Sequence, residues 1–204
     1  MSKGAGRRVR WHPASVVLHW MTLLLILFQF WVAWPMTDET RDLLTRFELY
    51  QLHKSVGLTI AAFVVLRLVL RLVLRAPVPA PEHAGPWLRG GAGAVHAGLY
   101  LCVIALPLTG FLMVSSAPIQ IPTFYFGWFA IPHAMSPDKA AYELMLRFHG
   151  WAGDLLIALG AAHFAAALVH VLVWRDGLLH RMWFGTSRGA RLTRPSPVPQ
   201  VPPP

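Results

Sequence analysis

The 204-residue chain is 55% apolar and only 13% charged, about half the charged share of an ordinary soluble domain. That leaves too little polar surface to cover a water-soluble globule of this size, so lipid is the solvent the composition points to. A single cysteine, Cys102, excludes an internal disulfide framework and any Cys-rich zinc or iron–sulfur site.

Four apolar runs follow in chain order: Ala14–Trp34, about Tyr50–Leu74, about Ala94–Ser115 and about Tyr142–Trp174. Each reaches the ~20 residues that cross ~30 Å of hydrocarbon, and the fourth exceeds it. The first is opened by Trp11, His12 and Pro13 and closed by Pro35. It is too long for the core of a cleaved signal and is read as a span. The expected fold class is all-α, a transmembrane four-helix bundle. Residues 1–13 form a basic segment ahead of it, 14–185 the membrane domain, and 186–204 a basic, proline-rich tail without fixed structure.

The net charge of +9 brackets the apolar runs instead of forming a basic surface interleaved with aromatics, so no nucleic-acid partner is expected. Eleven Lys and Arg fall in the N-terminal segment, the loop 75–93 and the tail. The other loops dilute their cations with Asp38, Glu39, Asp42, Glu48, Asp138 and Glu143. The positive-inside rule therefore predicts a multi-pass membrane protein with both termini cytoplasmic.

The histidines carry the chemistry. His19 lies about a turn inside the cytoplasmic end of the first run, and His53 is expected to open the second helix at the outer side. On the fourth run His149 and His163 are 14 residues apart, which returns to nearly one helix face about 21 Å further along. At the outer level His53 and His149 are the only candidates. At the inner level His19 has His163, His170 or His96 as possible partners, and the 14-residue spacing favours His163. Facing imidazoles at two depths of a four-helix core suit two haem b groups, His19, His53, His149 and His163 being the axial ligands of iron. Six-coordinate iron favours electron transfer over oxygen binding. Gly57, Gly150, Gly153 and Gly160 leave room for a flat ring, and no Cys or carboxylate completes a zinc set.

In this order and spacing the motifs resemble the bacterial cytochrome b561 family. They are Leu18-His19-Trp20, Leu52-His53-Lys54-Ser55-Val56-Gly57 with Arg67 and Arg71, Ala105-Leu106-Pro107-Leu108-Thr109-Gly110 with Met113, Ser115 and Ser116, the Phe126-Gly127 turn, His149, His163, and Trp174-Arg175-Asp176-Gly177. The resemblance covers about Val16 to Gly185. It implies a four-helix protein of the bacterial inner membrane with two haems b ligated by His19, His53, His149 and His163, and electron exchange with membrane quinone, ubiquinone in some members that oxidise superoxide at the outer face. Other members are cytochrome subunits of dehydrogenases or hydrogenases, so the donor is either a small molecule or a protein. The chain departs from the family at Gly150, where an acid is common, and at Val171, where a second histidine is common. The first bears on exposure of the outer haem, the second on a quinone or proton role at the inner end.

Among supporting residues, Lys54 and Arg147 are expected to form a positive funnel at the outer side, for haem carboxylates or a small anion. Arg67 is expected to hold the inner haem and Arg71 to meet lipid headgroups. Asp154 is read as a hydrogen-bonded core acid, a proton relay or a partner for an arginine, and Pro107 as a kink beside a haem. The reading from a different class is a non-redox helical scaffold or transporter, whose histidines cross-link helices.

Overall fold

The computed structural model describes residues 11–74 and 85–183. The basic N-terminal residues through Arg10, most of the loop after the second helix, and the tail lie outside that range. Four long helices run α1 Pro13–Met36, α2 Leu43–Val73, α3 Pro86–Ser116 and α4 Lys139–Val169. All four are long and apolar enough to cross a membrane, α4 counted on to Trp174.

Their starts are set by local chemistry. Pro13 and Pro86 open α1 and α3, where a missing N–H costs nothing. The His12 Nδ1 accepts from the Ala14 amide at 3.3 Å. Asp42 caps α2 by accepting from the Thr45 amide at 2.9 Å, and Asp138 caps α4 through the Ala141 amide at 3.0 Å. Hydrogen bonds from Thr45 hold the Asp42 carboxyl below its usual range, and those from Thr40 do the same for Asp38.

Three boundaries differ from the sequence expectation. α2 begins at Leu43, two turns before Tyr50, so His53 sits in its third turn and does not open it. α3 begins at Pro86 and not near Ala94, and α4 at Lys139 and not Tyr142. In each case an amphipathic or polar extension carries the helix past the purely apolar run. α3 runs on through Pro107.

Between α3 and α4 lies a two-stranded antiparallel hairpin, β1 Thr123–Tyr125 and β2 Phe129–Ile131, that the apolar pattern did not disclose. Three residues, Phe126 to Trp128, join the strands: the Trp128 amide donates to the Tyr125 carbonyl at 2.9 Å, and the two central residues of that turn, Phe126 and Gly127, have φ of 47° and 78°, both left-handed. Ser55 and Gln51 of α2 clamp this hairpin. The Ser55 hydroxyl donates to the Phe124 carbonyl at 3.1 Å and accepts from the Phe126 amide at 3.0 Å, while the Gln51 Oε1 accepts from the Phe124 amide at 3.0 Å.

α1 packs along α2 and α3 along α4, with α2 touching α3. The core is a narrow stripe of Val56, Ile60 and Val64, four residues apart on α2, against Leu25, Ile26 and Phe28 of α1 and Val103 of α3. Buried positions are small, among them Ser55, Cys102, Ser115 and Ser116, whereas Trp31, Leu72, Trp128 and Phe164 are exposed. A soluble protein inverts that arrangement; a bundle bathed in hydrocarbon does not need to.

Candidate haem-binding core

Two histidine pairs face one another across the bundle. His53 of α2 and His149 of α4 have ring centres 6.2 Å apart and planes at 68°. His19 of α1 and His163 of α4 stand at 6.4 Å and 73°. Metal–imidazole bonds run about 2.0–2.1 Å and a ring nitrogen lies about 1.1 Å from its ring centre, so two imidazoles across one metal stand about 6.3 Å apart. Both separations fit that requirement.

The alternatives at the inner level separate on the same measure. His96 of α3 lies 5.1 Å from His163, too close for a metal between them. His170 is occupied elsewhere, its Nδ1 2.5 Å from Asp176 Oδ2 and its ring 4.6 Å from Trp174. This arrangement depends on a π-helical turn, His170–Trp174, followed by left-handed Arg175 and Gly177, which fold the chain back beneath α4.

The surroundings of each imidazole decide what it can do. The His149 Nδ1 lies 3.1 Å from the Leu106 carbonyl and 3.2 Å from the Thr109 hydroxyl. The carbonyl can only accept, so Nδ1 carries the proton and Nε2 presents its lone pair, the tautomer an axial ligand needs. Gly110 makes this approach possible: a Cβ there would meet the His149 Cε1 at 3.1 Å. At the inner pair the Arg67 Nη2 stands 3.4 Å from the His19 Nδ1; a guanidinium only donates, so Nδ1 accepts here, and ligation through Nε2 requires Arg67 to turn from the imidazole. Arg67 and Arg71 also flank the Tyr100 ring of α3, at 5.7 and 5.6 Å. Arg71 therefore stacks on Tyr100, a contact the lipid reading did not include.

Lys54 directs its Nζ to the Pro122 carbonyl at 3.2 Å, tying α2 to the loop between α3 and α4. Arg147 and Asp154 are exposed on α4, so Asp154 is not the core acid expected of it. Gly150, Gly153 and Gly160 have open space where a Cβ would stand, whereas Gly57 abuts Gln29. Gln29, Tyr100 and Asp176 were not singled out as site residues in the sequence; Gln29 carried a signal as the one hydrophilic side chain between Leu23 and Met36, and Asp176 stood within the Trp174-Arg175-Asp176-Gly177 motif.

Residues 10–185 match the family model described as prokaryotic cytochrome b561. The chain belongs to that family. This cytochrome b561 family member is accordingly a multi-pass membrane protein of electron transfer, and the family implies b-type haem. It is 29% identical over 174 residues to cytochrome b561 homolog 2 of Escherichia coli (strain K12), covering 85% of this chain and 90% of that one. It is 26% identical to cytochrome b561 homolog 1 of the same organism, over 85% of this chain and 96% of the relative. A Yersinia pestis protein named probable superoxide oxidase CybB is 26% identical over 82% of this chain and 92% of its own length.

Proposed function

We propose that the protein is a dihaem cytochrome that passes electrons across the membrane from an outer-side donor, superoxide, to ubiquinone. The observation that carries the proposal is the pair of ring separations, 6.2 Å for His53–His149 and 6.4 Å for His19–His163, each matched to one metal between two imidazoles. The name of the Yersinia pestis relative supports the donor. Residues 14–185 form the haem-holding unit, with 1–13 and 186–204 as appendages and both termini cytoplasmic, in keeping with the distribution of Lys and Arg.

Bound haem supplies reversible one-electron chemistry at iron. The polypeptide does the rest. His53 and His149 would hold the outer group and His19 and His163 the inner one, a two-imidazole ligation that favours electron transfer over oxygen binding. Leu106 and Thr109 fix the proton of His149 on Nδ1. Arg67, beside His19, is placed to hold a haem carboxylate by a charge-assisted hydrogen bond. Lys54 keeps a cation at the outer end, where it draws in a small anion while anchoring the Pro122 loop. In the net reaction two superoxide anions each release one electron and become oxygen. Quinone takes up both electrons and two protons to become quinol.

Stopped-flow mixing of the purified protein with superoxide, with and without quinone, tests the reading. Reduction of b-type bands by superoxide, followed by reoxidation on adding quinone, is expected. Bands that superoxide leaves oxidised, in a protein that co-purifies with a dehydrogenase in fixed ratio, would replace the donor by that enzyme. A purified protein without b-type bands would overturn the whole proposal in favour of a helical scaffold.

A further inference from the structure

Among the described residues three buried side-chain polar atoms lack a hydrogen-bond partner, and two of them belong to one contacting pair: Gln29 Oε1 and His53 Nδ1. The Gln29 Nε2 donates to the His53 carbonyl at 2.8 Å. A carbonyl only accepts, so this bond fixes which end of the carboxamide is which and leaves Oε1 as the free acceptor. If His53 ligates through Nε2, its Nδ1 carries a proton and is a free donor. A donor without an acceptor and an acceptor without a donor thus lie buried on two residues already in contact. Left apart, each bears its full desolvation penalty; a small rotation or one buried water joins them.

Two further features fit the same assignment. Gln29 is the sole hydrophilic side chain between Leu23 and Met36, in the most apolar stretch of α1. Polar groups at such positions are costly and are retained for a task. Gly57, one turn beyond His53, keeps the space for the carboxamide, since a Cβ there would stand 3.3 Å from the Gln29 Nε2. The opposite ligand, His149, already has its Nδ1 partners in Leu106 and Thr109, whereas the His53 imidazole has the main-chain carbonyl of Gln29 nearby but no formed hydrogen bond on Nδ1.

We propose that Gln29 is the positioning residue of His53, gripping its main chain through Nε2 and accepting its Nδ1–H through Oε1, directly or by one buried water. An acceptor on Nδ1–H makes the imidazole a stronger donor to iron, which favours the ferric state and lowers the potential of the outer haem relative to a ligand without one. The inference rests on the dihaem reading and assigns Gln29 to the outer haem alone.

Redox titration of the full-length holoprotein, with the ferric low-spin EPR spectrum recorded in parallel, decides it. The outer component is identified as the one missing from His149→Ala. In Gln29→Met, the ferrous-to-ferric ratio of that component at a fixed ambient potential should rise about three- to tenfold, tenfold being 59 mV for one electron. Its EPR signal should move while the inner haem keeps both properties. Gly57→Ala, which crowds the carboxamide, should raise the ratio too, and Gln29→Glu, which retains an acceptor oxygen, should not. Wild-type potentials and EPR signals in both Gln29→Met and Gly57→Ala would overturn the proposal, as would equal shifts of the two haems. Should Gln29→Met fail to fold, Gly57→Ala and Gln29→Glu decide by the same signs. A wild-type protein without haem is a different result, and sinks the dihaem reading instead.

Discussion

Gly110→Ala separates haem binding from folding. The added Cβ would lie 3.1 Å from the His149 Cε1 and 3.4 Å from its Nδ1. Carbon atoms pack at about 3.5–4.0 Å, so the imidazole has to retreat by a few tenths of an ångström. It has little freedom to do so, because its Nδ1 is 3.1 Å from the Leu106 carbonyl and 3.2 Å from the Thr109 hydroxyl. A retreat of about 0.4 Å carries the first bond to ~3.5 Å, beyond useful geometry. Losing one such bond costs about 0.5–1.5 kcal/mol, or roughly a three- to tenfold weaker hold on the outer haem. The helix itself gains, since alanine is favoured over glycine in a helix interior by about 1 kcal/mol. Transfer of haem to an excess of apomyoglobin should therefore show one haem leaving about three- to tenfold faster and the other at its wild-type rate, with thermal unfolding no earlier than wild type. Gly110→Val, with two further methyls against the ring, should empty the outer site. Wild-type release rates in both variants would refute the assignment of His149 as a ligand held by Leu106 and Thr109.

Replacing His53 and His163 by alanine, one at a time, should each remove one haem, the outer and the inner respectively; a pyridine haemochrome assay gives the count, and unchanged stoichiometry in either variant contradicts the pairing. Lys54→Gln should slow reduction by superoxide about two- to threefold at low salt and flatten its ionic-strength dependence. Salt profiles superimposable on wild type would leave Lys54 only its contact with Pro122. The lowered folded-state pKa of Asp42 means that its contribution to the start of α2 is fully present above the usual carboxylate range, and is lost as pH falls through the lowered value. Hydrogen exchange should then find the Thr45 amide still protected at about pH 4, where a free aspartate is half protonated, and losing protection only below it, whereas Asp42→Ala should show it unprotected at every pH.

The four spans and the two levels of histidine were legible because both are helical periodicities: length against the bilayer, and a 14-residue return to one face. Helix ends were not, since apolar character marks where lipid stops and not where the helix does. The Leu43–Leu49 and Pro86–Gly93 segments are helical beyond the apolar runs. The hairpin escaped because strands of three residues are too short for alternation to register, although its Phe126-Gly127 turn stood in the sequence. His170 remained a candidate inner ligand until the left-handed Arg175 and Gly177 brought Asp176 back against it, a fold-back with no periodic signature. Gln29 stood out as polar in an apolar run, but its contact with His53 depends on the register between α1 and α2, which no single-helix pattern encodes.

Haem content of the purified full-length polypeptide tests the central claim most directly. Two imidazole pairs at separations of 6.2 and 6.4 Å predict two haem b per chain, each low-spin in its oxidised form. A ratio of one, or none when porphyrin supply is ample, contradicts it.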